Sequence, residues 1–274
     1  MTNAVLAAIL ELEKVGEDSY RAVTPPGAFA SSAIFGGQLI AQALRAAALT
    51  TDGRPCNSLQ AYFFKAGDPA RPVLFQAERV RDGRTFATRR VTALQGDQPF
   101  FVLSASFKVP EQGPDRQGTM PDAPDPDDPS LAGWDSPWER AFVTIPFELR
   151  RVAPALLPQP VGHPPVQQFW FRAPGSSQED PALHQAMLAY LSDLGLLSTL
   201  MLPDGLPWGE IKSTSTSLDH ALWFHRPTDM GQWHLYDQQS PSAADARGLA
   251  FGSIWRHDGV LVASVAQEGF YRLV

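Results

Sequence analysis

The stretch FGGQLIAQALRAAAL, residues 35–49, predicts the helix around which the first half of the chain folds. Leu39, Ala43, Leu44 and Ala47 recur at helical spacing, and the alanine-rich, proline-free composition favours a buried helix. Turn residues then separate stretches rich in aromatic and β-branched residues. These stretches predict consecutive antiparallel strands at 59–66, 72–80, 84–94 and 98–109.

The same order of elements returns later in the chain. Residues 181–202 carry Leu183, Met187, Leu191 and Leu194 on one helical face, and strand patterns follow at 213–225, 232–239, 247–257 and 260–271. A long helix followed by an antiparallel sheet, twice in one chain, favours an α+β protein built by duplication. The predicted fold is a double hotdog, with two antiparallel sheets each wrapping a long helix in a pseudo-twofold repeat.

A segment rich in proline, glycine and aspartate separates the two halves. It has little apolar surface to pack, so it predicts a linker. We therefore predict an N-terminal hotdog at residues 1–109, a linker at 110–135 and a C-terminal hotdog at 136–274, with an early strand at 166–172. The first 20 residues predict an amphipathic helix and lack the pattern of a signal peptide.

The composition of the 274-residue chain argues against several classes of protein. A net charge of −7 argues against a nucleic-acid partner, which needs a concentrated basic surface. Cys56 is the only cysteine, which excludes an internal disulfide and fits a reducing compartment. Apolar runs of about 18 residues are absent, so we predict no membrane span. We expect a soluble, cytoplasmic protein.

Both halves carry distinctive motifs. The first half contains FGGQLIAQALRAA, RDGRTFATRRVTALQ and SASF, and the second contains LDHALWFHRP, DGVLVAS and QEG. Together these motifs resemble those of the acyl-CoA thioesterase II (TesB-like) family. The resemblance covers almost the whole chain outside the linker. It implies a double hotdog enzyme that hydrolyses acyl-CoA thioesters to a free fatty (carboxylic) acid and CoA, without a cofactor, and that associates into a homo-oligomer.

The resemblance also implies three catalytic residues, which together orient the attacking water. Asp193 lies in YLSDLGLL, Ser217 lies two residues before the Asp-His pair, and Gln267 lies in VAQEG. Many relatives carry threonine where this chain has Ser217, which keeps the hydroxyl but lacks the methyl group that restricts its rotamers. Relatives often carry a histidine in the strand around residues 57–60, and this chain has none there.

The residues alone leave alternatives open at each of these positions. Asp193 shares a helical stripe with Tyr190 and Leu197, where apolar neighbours would raise its pKa, but a solvated helix acid fits the same pattern. Ser217 lies in the polar run STSTS, where a strand hydroxyl usually bonds to backbone or water. Gln267 continues an alternating apolar row, which predicts a buried amide in either a structural or a functional role.

Two further groups are candidates for the site. The backbone amides of Gly36 and Gly37 at a helix start are candidate oxyanion or substrate contacts, although a tight helix entry would also explain these glycines. His220 and Asp219 are adjacent in a strand and so point to opposite faces, which argues against an acid–histidine pair and favours a core or strand-edge role for His220. The histidine spacing matches no familiar zinc motif, and we predict no metal site.

Three rival functions remain for comparison. A serine hydrolase of the α/β type would need a G-x-S-x-G motif, which the sequence lacks. A hotdog dehydratase or hydratase would carry a characteristic Asp and His motif that neither half contains. An acyl-CoA binding module without turnover is possible on any fold, but the joint presence of Asp193, Ser217 and Gln267 favours hydrolysis.

Overall fold

The computed structural model describes residues 2–28, 32–131, 145–152, 162, 164–176, 180–204 and 213–273. The helices in these ranges are α1 Thr2–Leu10, α2 Gly36–Ala48, α3 Pro181–Ser192 and α4 Leu196–Met201, the last followed by a short 3-10 turn at Leu202–Asp204. The strands are β1 Glu13–Gly16, β2 Ser19–Ala22, β3 Cys56–Phe63, β4 Val73–Asp82, β5 Phe86–Gln95, β6 Gln98–Lys108, β7 Glu148–Arg151, β8 Val166–Arg172, β9 Ser213–Ser217, β10 Asp219–Phe224, β11 His234–Ala244, β12 Arg247–Arg256 and β13 Leu261–Leu273.

The strands of both halves form one antiparallel sheet. Their order is β1-β2-β4-β5-β6-β3-β10-β13-β12-β11-β8-β7, and β9 pairs with β13. This order reads as two equivalent sets of six strands that meet at the β3–β10 pair, where Leu59 lies opposite Leu222. The predicted double hotdog is confirmed, with the difference that its two sheets are joined at this pair into a single continuous sheet.

The long helices α2 and α3 pack against each other and share one apolar core with the sheet. Close packing of the helix pair depends on Gly37, because a Cβ atom added there would lie 2.1 Å from the carbonyl oxygen of Tyr190. Cβ atoms do not come this close to a non-bonded oxygen in folded proteins, so any larger residue would push the helices apart. The sequence therefore brings the start of α2 into direct contact with the end of α3.

The helix predicted at residues 181–202 is interrupted. Asp180 caps the start of α3 by accepting the N–H of Ala182, and the helix ends at Ser192. Gly195 has a φ of +88°, a left-handed conformation that glycine adopts without strain, and α4 begins after it. The prediction of one continuous helix is wrong, and the break places Asp193 at the C-terminal cap of α3.

The structure corrects one further prediction and shows where the linker packs. The helix predicted over the first 20 residues ends at Leu10 and is followed by the hairpin of β1 and β2. The linker has no helix or strand between residues 110 and 131, yet it is packed against the second half. Trp170 donates its indole N–H to the Pro124 carbonyl, and Gln117 bonds to Gly259 and Leu261. Residues 132–144 lie outside the described part of the chain, and the domain boundaries stay predictions.

One segment is long and apolar enough to cross a membrane by length and composition. Within the described residues it runs over Pro181–Asp204 with a mean hydropathy of 1.4. Polar residues such as His184 and Asp193 interrupt it, so it is not a continuous apolar run, and the absence of a membrane span stays a prediction. In the structure, 83% of the apolar window is buried inside the protein. Its composition is therefore accounted for by its place in the core as α3 and α4.

Candidate active site

Asp193 is buried where the end of α3 meets the start of α2. Its Oδ2 atom accepts the backbone N–H of Gly37 at 2.9 Å. The side chain is only 8% exposed, and burial raises the pKa of Asp193 to about 6 even though the Gly37 N–H and the Gln267 amide lower it. Its Oδ1 atom is buried without a hydrogen-bond partner among the described residues. One oxygen is thus anchored, while the other can still accept a hydrogen bond.

Gln267 and Ser217 form a second pair of polar side chains. Gln267 on β13 is buried, as the alternating pattern predicted, and its Nε2 atom donates to the Ser217 Oγ at 2.8 Å. The Gln267 amide also lowers the pKa of Asp193, which indicates that this pair is close to the carboxylate. Because Ser217 Oγ accepts the bond from Gln267, its own proton is available to another acceptor.

A β-bulge explains how side chains from both β9 and β10 reach Gln267. Ser217 lies opposite Gly269, whereas Ala221 lies opposite Ala266, so the β9–β10 side has one residue more than β13 over this stretch. An extra residue reverses the alternation of side chains. Ser217 and His220, which strict alternation would put on opposite faces, therefore both contact the same amide.

His220 is the residue that the sequence patterns failed to place in the site. Its Nδ1 atom lies 2.6 Å from Gln267 Oε1, and its Nε2 atom lies 2.9 Å from Ser192 Oγ. Asp219 is engaged elsewhere, accepting the N–H of Glu268 at 2.7 Å, so the two adjacent residues form no acid–histidine pair. Burial lowers the pKa of His220 to about 4, which keeps the ring neutral near pH 7.

Gly36 and Gly37 are both in the site, in different roles. The Gly37 N–H donates to Asp193 and is therefore not available to an oxyanion, in contrast to the prediction. It anchors the carboxylate instead. The Gly36 N–H donates no hydrogen bond within the described part of the chain. A Cβ atom at Gly36 would lie 2.7 Å from Asp193 Oδ2 and 3.1 Å from the Phe63 ring, so only glycine fits there.

Aromatic side chains surround the polar residues on the side of α2 and α3. The ring of Phe35 packs edge-on against Tyr190 at 5.1 Å, and Tyr190 stacks on Phe147 at 5.9 Å between centroids. Phe63 lies beside Phe101 at 5.2 Å. These rings provide an apolar setting on this side of the site.

The described residues show no metal-binding cluster, since no group of three or more His, Cys, Asp or Glu side chains is arranged to hold a metal ion. The site offers a carboxylate, a hydroxyl, a carboxamide and backbone N–H groups. Such a set can hold a water molecule and remove its proton.

Comparison with known sequences gives matches in both halves. A family model described as an acyl-CoA thioesterase N-terminal domain matches residues 24–108, and one described as an acyl-CoA thioesterase matches residues 148–270. The chain is 37% identical over 294 residues to acyl-coenzyme A thioesterase 8 of Homo sapiens. That alignment covers 100% of this chain and 90% of the human protein.

Solved structures resemble the chain over nearly its full length. The acyl-CoA thioesterase II TesB2 from Mycobacterium marinum is 38% identical, with a TM-score of 0.82 and coverage of 98% of each chain. A conserved protein of unknown function with a hot dog fold, from Alicyclobacillus acidocaldarius, has a TM-score of 0.80 at 18% identity and covers 98% of each chain. The second likeness concerns the fold alone.

Proposed function

The chain belongs to the acyl-CoA thioesterase family, and we propose that it hydrolyses acyl-CoA thioesters using a water molecule activated by Asp193, Ser217 and Gln267. The observation that supports this proposal is a buried carboxylate with one unpartnered oxygen, whose pKa is lowered by a carboxamide that donates to a hydroxyl. The carboxylate is at the C-terminal cap of α3, the hydroxyl is on β9 and the carboxamide is on β13, so only folding could bring them together.

Asp193 acts as the general base in this proposal. A pKa of about 6 leaves the carboxylate ionised at pH 7 while making it a stronger base than an exposed aspartate. Its Oδ2 atom is held by Gly37, and Oδ1 accepts a proton from the water. The water oxygen forms a bond to the thioester carbonyl carbon. When the tetrahedral intermediate collapses, the C–S bond breaks and the proton on Asp193 is available to the departing sulfur.

Gln267 and Ser217 position the reactants. One N–H of the Gln267 amide is donated to Ser217. In the proposed mechanism the other N–H is directed toward Asp193, whose pKa the amide lowers, and the water is held between them. The Ser217 proton can be donated to the water or to the thioester oxygen. Holding the water within hydrogen-bond reach of three groups removes much of the entropy cost of the attack.

The negative charge on the thioester oxygen also needs a donor. The N–H of Gly36 at the start of α2 is the candidate, because a helix N-terminus carries a partial positive charge and the neighbouring N–H of Gly37 serves Asp193. The absence of a side chain at Gly36 lets Asp193 Oδ2 lie close to the backbone of this turn. This assignment stays a prediction of the proposed mechanism.

The experiment that tests the proposal measures free CoA released from short, medium and long acyl-CoAs by the wild-type protein and Asp193→Asn. Removal of the general base is expected to lower kcat by roughly 10²–10⁴ with little change in KM. Asp180→Asn is the matched control, because it removes the same charge at the opposite end of α3 and asparagine still caps a helix. This control is expected to behave as wild type.

Each result has a distinct meaning. Activity retained in folded Asp193→Asn would remove Asp193 from the mechanism while leaving thioester hydrolysis in place. Wild-type protein that binds acyl-CoA without releasing CoA would favour a binding module or a hotdog enzyme of another reaction. The same panel would give the preferred acyl-chain length. Cytoplasmic location, self-association and the absence of a nucleic-acid partner remain predictions.

A further inference from the structure

We infer that His220 is a positioning residue for the proposed hydrolysis, holding the Gln267 carboxamide so that its N–H groups face Ser217 and Asp193. This inference rests on the proposed function and adds a residue that does not contact the reacting atoms. It follows from a chain of short contacts that runs from Ser192 through His220 and Gln267 to Ser217.

A carboxamide needs such control because its two ends have similar size and opposite hydrogen-bonding roles. Turning the Gln267 amide by half a turn would present its oxygen to the Asp193 carboxylate, which would repel it. It would also leave Ser217 without the bond that it accepts at 2.8 Å. The orientation of this amide therefore decides whether the three proposed catalytic groups support one another.

The protonation state of His220 selects the working orientation. Oε1 of Gln267 can only accept, so the contact of 2.6 Å requires a proton on His220 Nδ1. In a neutral ring, Nε2 then has no proton and must accept from the Ser192 hydroxyl at 2.9 Å. The opposite tautomer would place a lone pair against Oε1 and favour the turned amide.

Burial makes this selection effective. Ser192, His220 and Gln267 are each no more than 1% exposed, so water does not compete for their hydrogen bonds. The Ser192 hydroxyl also lies 2.9 Å from the carbonyl oxygen of Ala189, which is the alternative acceptor for its proton. When Ser192 donates to His220 Nε2, the neutral ring has its proton on Nδ1 and can donate it to Gln267 Oε1.

Two conservative variants separate positioning from packing. In His220→Asn, the side-chain amide nitrogen takes the place of Nδ1 and can still donate to Gln267. In His220→Gln, the amide lies nearer the place of Nε2, so Gln267 Oε1 loses its donor although more of the ring volume is filled. We expect kcat to fall less than about 10-fold in His220→Asn and about 100-fold in His220→Gln, with KM changed by less than about 3-fold.

Thermal unfolding of both variants provides the packing control. If His220 had only a structural role, kcat would follow the stability of each variant. His220→Gln leaves the smaller cavity and would then be the more active of the two. That order would overturn the inference. Ser192→Ala should lower kcat in the wild-type background, because it removes the donor to Nε2. It should have no further effect in His220→Asn, which has no group at that position.

Nitrogen NMR of the histidine ring tests the inference without relying on turnover. The wild-type protein should show a protonated Nδ1 and an unprotonated Nε2 for His220, assigned by the signal lost in His220→Asn. A protonated Nε2 would refute the positioning role. Failure of the wild-type protein to release CoA would instead refute the proposed function, and the NMR result would still decide the tautomer.

Discussion

The Oδ2 atom of Asp193 accepts the backbone N–H of Gly37 at 2.9 Å, joining the end of α3 in the second half to the start of α2 in the first. The two residues are 156 positions apart in the chain. The carboxylate is therefore oriented by a residue from the other half of the repeat. The site is therefore complete only when both halves of the chain are folded together.

Gly37→Ala should disrupt both the helix contact and the site. The new methyl group would meet the Tyr190 carbonyl oxygen at 2.1 Å, so α2 and α3 must separate and the Gly37 N–H must leave Asp193. Overpacking of this kind costs about 1–3 kcal/mol of unfolding free energy. We also expect a loss of kcat of at least about 10-fold, measured as CoA release.

Gly113→Ala is the control, because a methyl group at this linker position has no atom within 4 Å. It should match wild type in both stability and turnover. A Gly37→Ala protein with wild-type kcat would show that the Asp193–Gly37 bond is dispensable.

The activity should depend on pH through Asp193. Since burial raises the pKa of this carboxyl to about 6, the fraction of ionised base falls as the pH drops below that value. We expect kcat/KM to decrease tenfold per pH unit on the acid side, with a midpoint near pH 6. Because the pKa of His220 is lowered to about 4, its protonation should not add to the slope above about pH 5.

A midpoint near the ordinary aspartate pKa would show that activity does not depend on a carboxyl whose pKa is raised by burial. Substrate stability must be checked over the same pH range with no enzyme present.

Asp193→Asn should stabilise the fold at neutral pH while it abolishes activity. The folded-state pKa of about 6 exceeds the ordinary value of 3.8, so the folded protein binds protons more tightly than the unfolded chain between these pH values. The contribution of Asp193 to the free energy of unfolding of the wild-type protein therefore falls as the pH rises from 3.8 to about 6. Above about pH 6 this contribution stays low. The difference between the two pKa values corresponds to about 3 kcal/mol of unfolding free energy.

Urea denaturation of both proteins at pH 4 and pH 7.5 would measure this effect. The variant should gain stability over wild type mainly at the higher pH. An equal difference at both pH values would indicate a packing effect unrelated to the charge.

The sequence predicted those parts of the structure that follow from regular periodicity. The helical spacing of Leu39 and Leu44 and the alternation that ends at Gln267 both appear in the structure as buried faces. Two irregularities escaped prediction, and both shape the site. Gly195 breaks the second helix, and the bulge beside Leu218 shifts the strand register by one residue. Periodicity carries no information on such interruptions, because they are set by contacts between distant segments.

The role of His220 was missed for the same reason. Strict alternation placed it on the face opposite Ser217, and only the bulge brings both side chains to Gln267. The resemblance to a family supplied Asp193, Ser217 and Gln267, whereas their mutual distances required the fold.

Substitutions of Ser217 test whether its hydroxyl is used as proposed. Ser217→Thr keeps the oxygen and adds a methyl group that limits its rotamers, so it should retain activity within about threefold of wild type. Ser217→Ala removes the acceptor of the Gln267 N–H and the donor to the water, and should lower kcat by about 10-fold or more at unchanged KM. Ser215→Ala, two residues earlier on β9, is the matched control and should leave CoA release unaffected. Equal activity of Ser217→Ala and wild type would mean that Gln267 and Asp193 suffice to hold the water, and the hydroxyl would then have no place in the mechanism.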